Sequence, residues 1–222
     1  IKELVEREIL KSKDFGDIKF VDASNCQSSA NPDHWRHKMA LAGGGALPDI
    51  GLYCLNTTRF VLGMEPTEVF AYQHSTPGNP LFTEVEEMMS WQMKFPNGIV
   101  ANCSTHYNVH ESRYYRVLSE RGWTHLDNAY AYKGQKLTVA QAKDKIRSIE
   151  EMTIAETDQF EVEMDYFSDC VMHDRRPFST GEEGLHDHII MEAIYESANS
   201  GRPVKIKSDV DLKNMRGPEA LI

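Results

Sequence analysis

The sequence lacks the features of a membrane protein or a disulfide-stabilised domain. No apolar run approaches the ~18 residues that a membrane-spanning helix requires. Its four cysteines are widely spaced and form no C-x-x-C pair, which favours buried thiols in a reducing compartment over a disulfide framework or a metal site. We therefore expect a cytoplasmic protein. A periplasmic location stays open, because the chain begins at Ile1 without a methionine and an export signal could precede it.

An excess of positive charge is also missing. Lysine and arginine number 24 against 34 aspartates and glutamates, giving a formal net charge of −10. Such an acidic surface argues against a nucleic-acid backbone or an anionic membrane as partner. The 222 residues, 41% of them hydrophobic and 26% charged, are typical of one soluble globular domain spanning residues 1–222, with a sizeable core.

Cofactor and metal signatures are absent as well. Nowhere does a strand lead through G-x-G-x-x-G into a helix, and the triple glycine at residues 43–45 does not match that fingerprint. We therefore assign no cofactor-binding residue and expect residues 1–222 alone to show no saturable NAD(P) binding. The pairs His34/His37 and His106/His110 have no third ligand placed by sequence, so we predict no metal site.

Apolar periodicity predicts the order helix, sheet, helices. Residues 1–12 read as an amphipathic helix, and Pro48 suits the first turn of a helix that ends at Gly63. Alternation and turn signals, including Pro96-Asn97-Gly98, predict a run of short strands. The predicted strands span residues 18–25, 67–74, 83–95, 99–105, 114–119, 123–126, 130–132, 136–140 and 145–149.

The C-terminal part shows helical spacing. Phe160, Met164, Phe167 and Val171 follow one another at steps of four, three and four. A second apolar stripe that includes Leu185, Ile189 and Ala193 predicts another helix, which ends at Gly201. The fold class is therefore α+β: a large, mostly antiparallel β-sheet whose helices cover one face. We expect the other face to carry apolar residues such as those around Trp91, and to pair with a second copy of the chain.

The segment most indicative of chemistry runs from the triple glycine to Tyr53. Asp49 and Tyr53 are four residues apart, so in a helix they share one face. A carboxylate accepts hydrogen bonds from the hydroxyls of a polyol, and a phenol can exchange a proton with a carbonyl or an alcohol. An isolated tyrosine with a pKa near ~10 needs a nearby cation to act as a base at neutral pH.

Structural roles also explain the same residues. Asp49 in a first helical turn is favoured by the helix dipole, and Tyr53 could be a half-buried core aromatic. Three further residues are candidates for substrate binding. Trp35 could stack on a sugar ring, Arg36 could hold its oxygens, and His106 follows a strand from which it could reach the pocket.

The stretch GGGALPDIGLYCLNTTRFVLG resembles the signature of the glucose-fructose oxidoreductase, inositol dehydrogenase and rhizopine catabolism protein (Gfo/Idh/MocA) superfamily. Most members have His where this chain has Tyr53, and the Tyr form is similar to the glucose-fructose oxidoreductase branch. Other parts of the chain resemble the C-terminal half of that family: Trp35-Arg36, Phe160–Cys170, Gly181–Leu185 and Tyr195–Ala198.

The resemblance implies a C-terminal substrate-binding and oligomerisation domain whose N-terminal Rossmann domain is absent from this chain. That missing domain would bind NAD or NADP and supply a Lys from a Glu-Lys-Pro motif. By carry-over, Tyr53 is the acid/base and Asp49 holds hydroxyls of a sugar or polyol substrate. The alternative is a non-catalytic sugar-binding or assembly module on the same fold.

Overall fold

The computed structural model describes residues 2–12, 14–29, 31, 33–143 and 146–218. Ile1, which the apolar pattern assigns to the first helix, lies outside the described residues. The same holds for residue 145, where the last predicted strand begins.

One nine-stranded sheet runs through the domain. Its strands are β1 (Ile18–Ser28), β2 (Glu68–His74), β3 (Met88–Lys94), β4 (Val100–His106), β5 (Asn108–Ser119), β6 (Gly122–Asp127), β7 (Lys136–Lys143), β8 (Ile146–Met152) and β9 (Val204–Lys205). They lie in the order β8-β7-β6-β5-β1-β4-β3-β2-β9. The central pair β1 and β4 runs parallel, and every other neighbouring pair is antiparallel. The predicted mostly antiparallel sheet is therefore confirmed.

Helices lie at both ends of the chain and between the first two strands. They are α1 (Lys2–Lys11), α2 (Met39–Ala42), α3 (Leu52–Leu62), α4 (Gln159–Met172) and α5 (Gly181–Ser200). A π-helical turn, Leu47–Gly51, leads directly into α3. Helix α3 ends at Gly63 and α5 at Gly201, both at positive φ as expected for C-terminal glycine caps.

The core lies between the sheet and the helices α1, α3 and α5. Alternate strand residues turn towards these helices, and Trp91 is only 1% exposed, packed with Leu55 and Ile190. The prediction that Trp91 marks the open face is therefore wrong: the alternation of β3 places Met89, Trp91 and Met93 on the covered face. The open face instead carries partly exposed aromatic side chains, namely Phe20, Phe70, Tyr72, Tyr114 and Trp123.

One predicted strand is wrong, and another begins later than predicted. Residues 130–132 form a turn, in which the Ala131 N–H donates to the Asn128 carbonyl. The strand predicted from residue 83 begins only at Met88. The five preceding residues leave the sheet because Glu86 and Glu87 are buried, where their carboxylates accept backbone N–H groups of other segments.

A buried ion cluster ties α3 to α5. Arg59 is fully buried and bonds Glu65 at 2.5 Å, Glu183 at 3.1 Å and Asp187. Because an unpaired buried charge is costly, every member constrains the others. Helix α3 therefore has little freedom to shift against the sheet.

A second buried acidic side chain lies between α1 and β6. Glu6 is fully buried, and the Thr124 hydroxyl donates to its Oε1 at 2.5 Å. Its Oε2 has no hydrogen-bond partner among the described residues. Burial raises the pKa of Glu6 to about 8, so Glu6 is mostly protonated in the folded protein at neutral pH.

We expect Glu6→Gln to stabilise the protein increasingly as pH rises from 4.5 to 8. Across that window Glu6 takes up a proton when the protein folds. The free energy of unfolding of the wild type therefore falls by about 1.4 kcal/mol per pH unit. Thermal unfolding of both proteins at several pH values measures this. Glu8→Gln, on the exposed side of α1, should not produce the same divergence, and parallel curves for Glu6→Gln and the wild type would contradict the assignment.

Candidate active site

The glycine segment passes Glu86, just before β3, and Tyr195 of α5 at distances that allow no side chain. A Cβ on Gly45 would overlap the Glu86 carbonyl oxygen, and one on Gly44 would overlap the Tyr195 hydroxyl. The Ala46 N–H donates to the Glu86 carbonyl at 3.2 Å. This close approach fixes where the π-helical turn begins.

Asp49, in that π-helical turn, is held at both carboxylate oxygens. Arg36 Nε lies 2.9 Å from Oδ1, and the Tyr107 hydroxyl donates to Oδ2 at 2.5 Å. Burial, and then the bond to Asp49, raise the pKa of Tyr107 well above its ordinary value. Tyr107 therefore stays a donor to Asp49 at neutral pH, and the carboxylate has a defined orientation.

Tyr53 lies one turn further along, at the start of α3, and is 51% exposed. Its ring is 6.0 Å from that of Tyr130. Burial raises the pKa of Tyr53, as do Tyr132 and Asp49, whereas Arg36 acts in the opposite direction with less effect. The described residues alone therefore leave the phenol protonated at neutral pH.

Asp49 and Tyr53 both line a polar cavity of about 410 Å³ that adjoins the ends of β1 and β4. On the β1 and β5 side, Arg113 Nη2 donates to Gln27 Oε1 at 2.9 Å. The lining consists mainly of groups that can bond hydroxyls: Asn25, Gln27, Ser28, Ser29, His34, Arg36, Asp49, Ile50, Tyr53, Tyr107, Arg113, Tyr130, Ala131 and Tyr132.

The structure brings together three of the five predicted site residues: Arg36, Asp49 and Tyr53. Trp35 lies beside them, 49% exposed, with the Arg36 guanidinium 4.6 Å from its ring centre. His106, in contrast, is not among the residues lining the cavity. It ends β4 on the open face, next to Met88 and Cys26.

Tyr107, the neighbour of His106, was not among the predicted site residues. Successive residues of a strand point to opposite faces, so the chain places Thr105 and Tyr107 on the covered face and His106 on the other. The alternation of side chains along the strand could have identified Tyr107, but only once it is known which face the helices cover. The same is true of Arg113 on β5.

The comparison with known families decides what this arrangement belongs to. The model of an oxidoreductase family, described as its C-terminal alpha/beta domain in the Gfo/Idh/MocA group, matches residues 7–206. The chain belongs to this family. The resemblance inferred from the glycine segment is thereby confirmed.

Similar Gfo/Idh/MocA members include sugar oxidoreductases. D-xylose 1-dehydrogenase (NADP(+)) of Haloarcula marismortui is 31% identical over 178 residues, which are 79% of this chain and 48% of that protein. D-xylose 1-dehydrogenase (NADP(+)) 2 of Haloferax volcanii is 26% identical over 163 residues, 73% of this chain and 48% of that protein. The chain spans about half the length of these curated relatives.

Solved structures of the family show the same fold. The aldose-aldose oxidoreductase from Caulobacter crescentus, complexed with glycerol, superposes with a TM-score of 0.85 at 34% identity. The match covers 92% of this chain and 60% of that one. A levoglucosan dehydrogenase complexed with NADH and L-sorbose gives 0.78 at 19% identity, covering 91% and 62%, which supports the fold alone.

The described ranges contain neither a membrane-spanning helix nor a cluster of metal ligands. No helix there combines the length and apolar character that crossing a bilayer demands. No group of three or more His, Cys, Asp or Glu side chains in the same ranges is arranged to hold a metal ion.

We expect Gly45→Ala to lower the free energy of unfolding by about 1–3 kcal/mol, because the new methyl group meets the Glu86 backbone, which cannot move aside. Chemical denaturation measures the change. Gly181→Ala is the matched control: nothing lies within 4 Å of its added Cβ, and alanine favours the helix there. Equal stability of the two variants would show that the close approach imposes no constraint.

Proposed function

We propose that this chain is the substrate-binding domain of an oxidoreductase that transfers hydride between NAD or NADP and a sugar or polyol. One observation carries the proposal. Asp49, fixed at both oxygens, and Tyr53, one turn away, line the same polar cavity. The xylose dehydrogenases and the aldose oxidoreductase among the relatives support a sugar as the substrate class.

Asp49 binds and orients substrate hydroxyls. The ion pair with Arg36 and the hydrogen bond from Tyr107 leave further lone pairs on a carboxylate that has about four acceptor sites. Across the cavity, Arg113 and Gln27 present a donor and an acceptor. A polyol spanning the cavity can therefore be held from two sides, which fixes the carbon that reacts.

Tyr53 exchanges the proton. In sugar oxidation the proton of the reacting hydroxyl passes to the Tyr53 phenolate, while the hydride leaves the carbon that bears this hydroxyl. In reduction both transfers run in reverse. Because burial and its neighbours raise the pKa of Tyr53, the reaction needs a cation from outside the described residues. A Lys of the Glu-Lys-Pro motif, implied by the family resemblance, meets that need.

The glycine loop of this chain does not fit the phosphates of a dinucleotide. In a dinucleotide fold, loop and helix N–H groups face the pyrophosphate. Here the N–H groups of Gly45 and Leu47 donate to the Glu86 carboxylate, which occupies that position. We therefore assign the binding of NAD or NADP to a part of the protein beyond this chain. When bound, the cofactor would supply the hydride acceptor beside Tyr53.

The exposed stripe of α4 supports packing against such a further domain. Phe160, Met164, Phe167 and Val171 are 48–67% exposed, although helical spacing of this kind is typical of a buried face. Phe160 contacts Tyr132, a residue of the cavity, with ring centres 5.3 Å apart. The stripe thus begins at the cavity, where a domain carrying cofactor and lysine has to approach.

Two finer proposals concern assembly and location. The partly exposed aromatic residues of the open sheet face support a homo-oligomer formed through that face. The four cysteines are free thiols, which agrees with a reducing, cytoplasmic compartment.

In the full-length protein, Tyr53→Phe should lower kcat by roughly 10²–10⁴-fold, the usual contribution of a positioned acid or base. The ring still packs against Tyr130, so the melting temperature should stay close to that of the wild type. Steady-state kinetics with NADP+ and aldoses, together with thermal unfolding, measure both quantities.

Asp49→Asn is the companion variant. It keeps the shape but loses the charge, so its loss should fall on kcat/KM for the sugar and leave KM for NADP+ nearly unchanged. Full activity of Tyr53→Phe would reject Tyr53 as the acid/base and leave the substrate pocket unassigned. Absence of any turnover by the wild type would favour a binding or assembly module.

A further inference from the structure

The π-helical turn that carries Asp49 has no cap of its own. Ala46 precedes it and has no side chain that can accept a hydrogen bond. The first N–H groups of a helix find no partner within the helix and need an acceptor from elsewhere. We propose that Glu86 is the positioning residue of this active site, acting as that acceptor from a distant segment.

Glu86 meets this need with side chain and backbone together. Its Oε2 accepts the Gly45 N–H at 2.8 Å, its Oε1 accepts the Leu47 N–H at 2.9 Å, and its carbonyl accepts the Ala46 N–H. Glu86 is 7% exposed, so water competes little for these bonds. A negative charge at the beginning of the turn is also favoured by the dipole of the helix that follows.

Tyr195 of α5 holds Glu86 from the opposite side. Its hydroxyl donates to Oε1 at 2.9 Å, and its position leaves room only for glycine at residue 44. Burial, and then Glu86, raise the pKa of Tyr195 well above its ordinary value. The phenol therefore stays protonated at neutral pH and donates to Glu86. In this way Glu86 links helix α5 to the glycine segment.

Glu87, the residue after Glu86, plays a similar part for Tyr107, the second residue that contacts Asp49. The Glu87 carbonyl accepts the Tyr107 N–H at 2.9 Å, and Glu87 Oε1 accepts Asn108 Nδ2 at 2.8 Å. Tyr107 in turn donates to Asp49. Two adjacent glutamates therefore position Asp49. Glu86 acts through the turn that contains Asp49, and Glu87 acts through Tyr107, which donates to Asp49.

This inference rests on the proposed function for its catalytic meaning, because Asp49 lies in the turn that Glu86 caps and Tyr53 lies in the helix that continues from it. A shift of about 1 Å in such groups can cost roughly 10²-fold in rate. Glu86 is not among the residues that line the cavity, so its contribution acts only through Asp49 and Tyr53.

The test is Glu86→Gln in the full-length protein. The amide keeps the shape of the carboxylate, but in either orientation its NH₂ group faces a donor, the N–H of Gly45 or of Leu47. With NADP+ and a panel of aldoses beginning with D-xylose, kcat/KM for the sugar should fall roughly 10- to 100-fold. KM for NADP+ should stay within about twofold of the wild type. Glu84→Gln, an exposed glutamate of the same segment, is the matched control and should retain activity.

Amide hydrogen exchange supplies a measurement that needs no activity. A peptide covering residues 44–50 should exchange about tenfold faster in Glu86→Gln, because two N–H groups depend on that carboxylate. If the wild type turns over no sugar, the proposed function fails, and exchange alone decides whether Glu86 holds the turn. Wild-type exchange in Glu86→Gln would overturn the positioning role, as would wild-type kcat/KM where the wild type is active.

If Glu86→Gln does not fold, Tyr195→Phe takes its place, since it removes only the hydroxyl that donates to Glu86. We expect faster exchange of residues 44–50 and a fall of roughly 2- to 10-fold in kcat/KM for the sugar, the effect of one hydrogen bond. Unchanged exchange in this variant would overturn the proposal.

Discussion

The close approach of Gly44 to Tyr195 and of Gly45 to Glu86 is the constraint on which the candidate site depends. Gly44 and Gly45 leave no room for a side chain against Tyr195 and Glu86. The N–H groups of Gly45 and Leu47 donate to the buried carboxylate of Glu86. The π-helical turn therefore begins at one place only. That contact therefore determines the positions of Asp49, within the turn, and of Tyr53, one turn later.

Under the proposed function, this chain supplies the substrate-binding groups, while the cofactor and the activating cation come from elsewhere in the protein. Arg36 and Tyr107 hold Asp49 in one orientation, and the buried ion cluster around Arg59 prevents α3 from shifting. Tyr53, by contrast, is half exposed and has a raised pKa. Such a division is what a domain of an oxidoreductase needs when the cofactor and the activating cation approach from another part of the protein.

Local patterns predicted much of the fold. Alternation and turn residues located β1, β2, β4 and β6, and glycine caps located the ends of α3 and α5. The helical spacing of Asp49 and Tyr53 placed both on one cavity. In each of these cases the deciding contacts lie within a few residues, so the sequence carries the signal.

The remaining features depend on contacts between distant segments. Alternation in β3 distinguishes two faces, but the helices that bury Trp91 come from both ends of the chain. Tyr107 and His106 differ only in which face each occupies. Glu86 looks like a solvent-facing strand residue, and its partners Leu47 and Tyr195 lie 39 and 109 positions away. Helix α4 shows a core-like stripe whose residues stay 48–67% exposed in the described part of this chain.

A crystal structure of the full-length protein with NADP+ and a bound polyol would show whether the contact of the glycine segment with Glu86 places the substrate-binding groups. We predict substrate oxygens within about 2.7–3.2 Å of an Asp49 carboxylate oxygen and of the Tyr53 hydroxyl. We also predict that Gly45 and Leu47 still donate to Glu86 when the substrate is bound. A polyol bound elsewhere, with Asp49 contacting only Arg36 and Tyr107, would contradict both the site and the role of the turn.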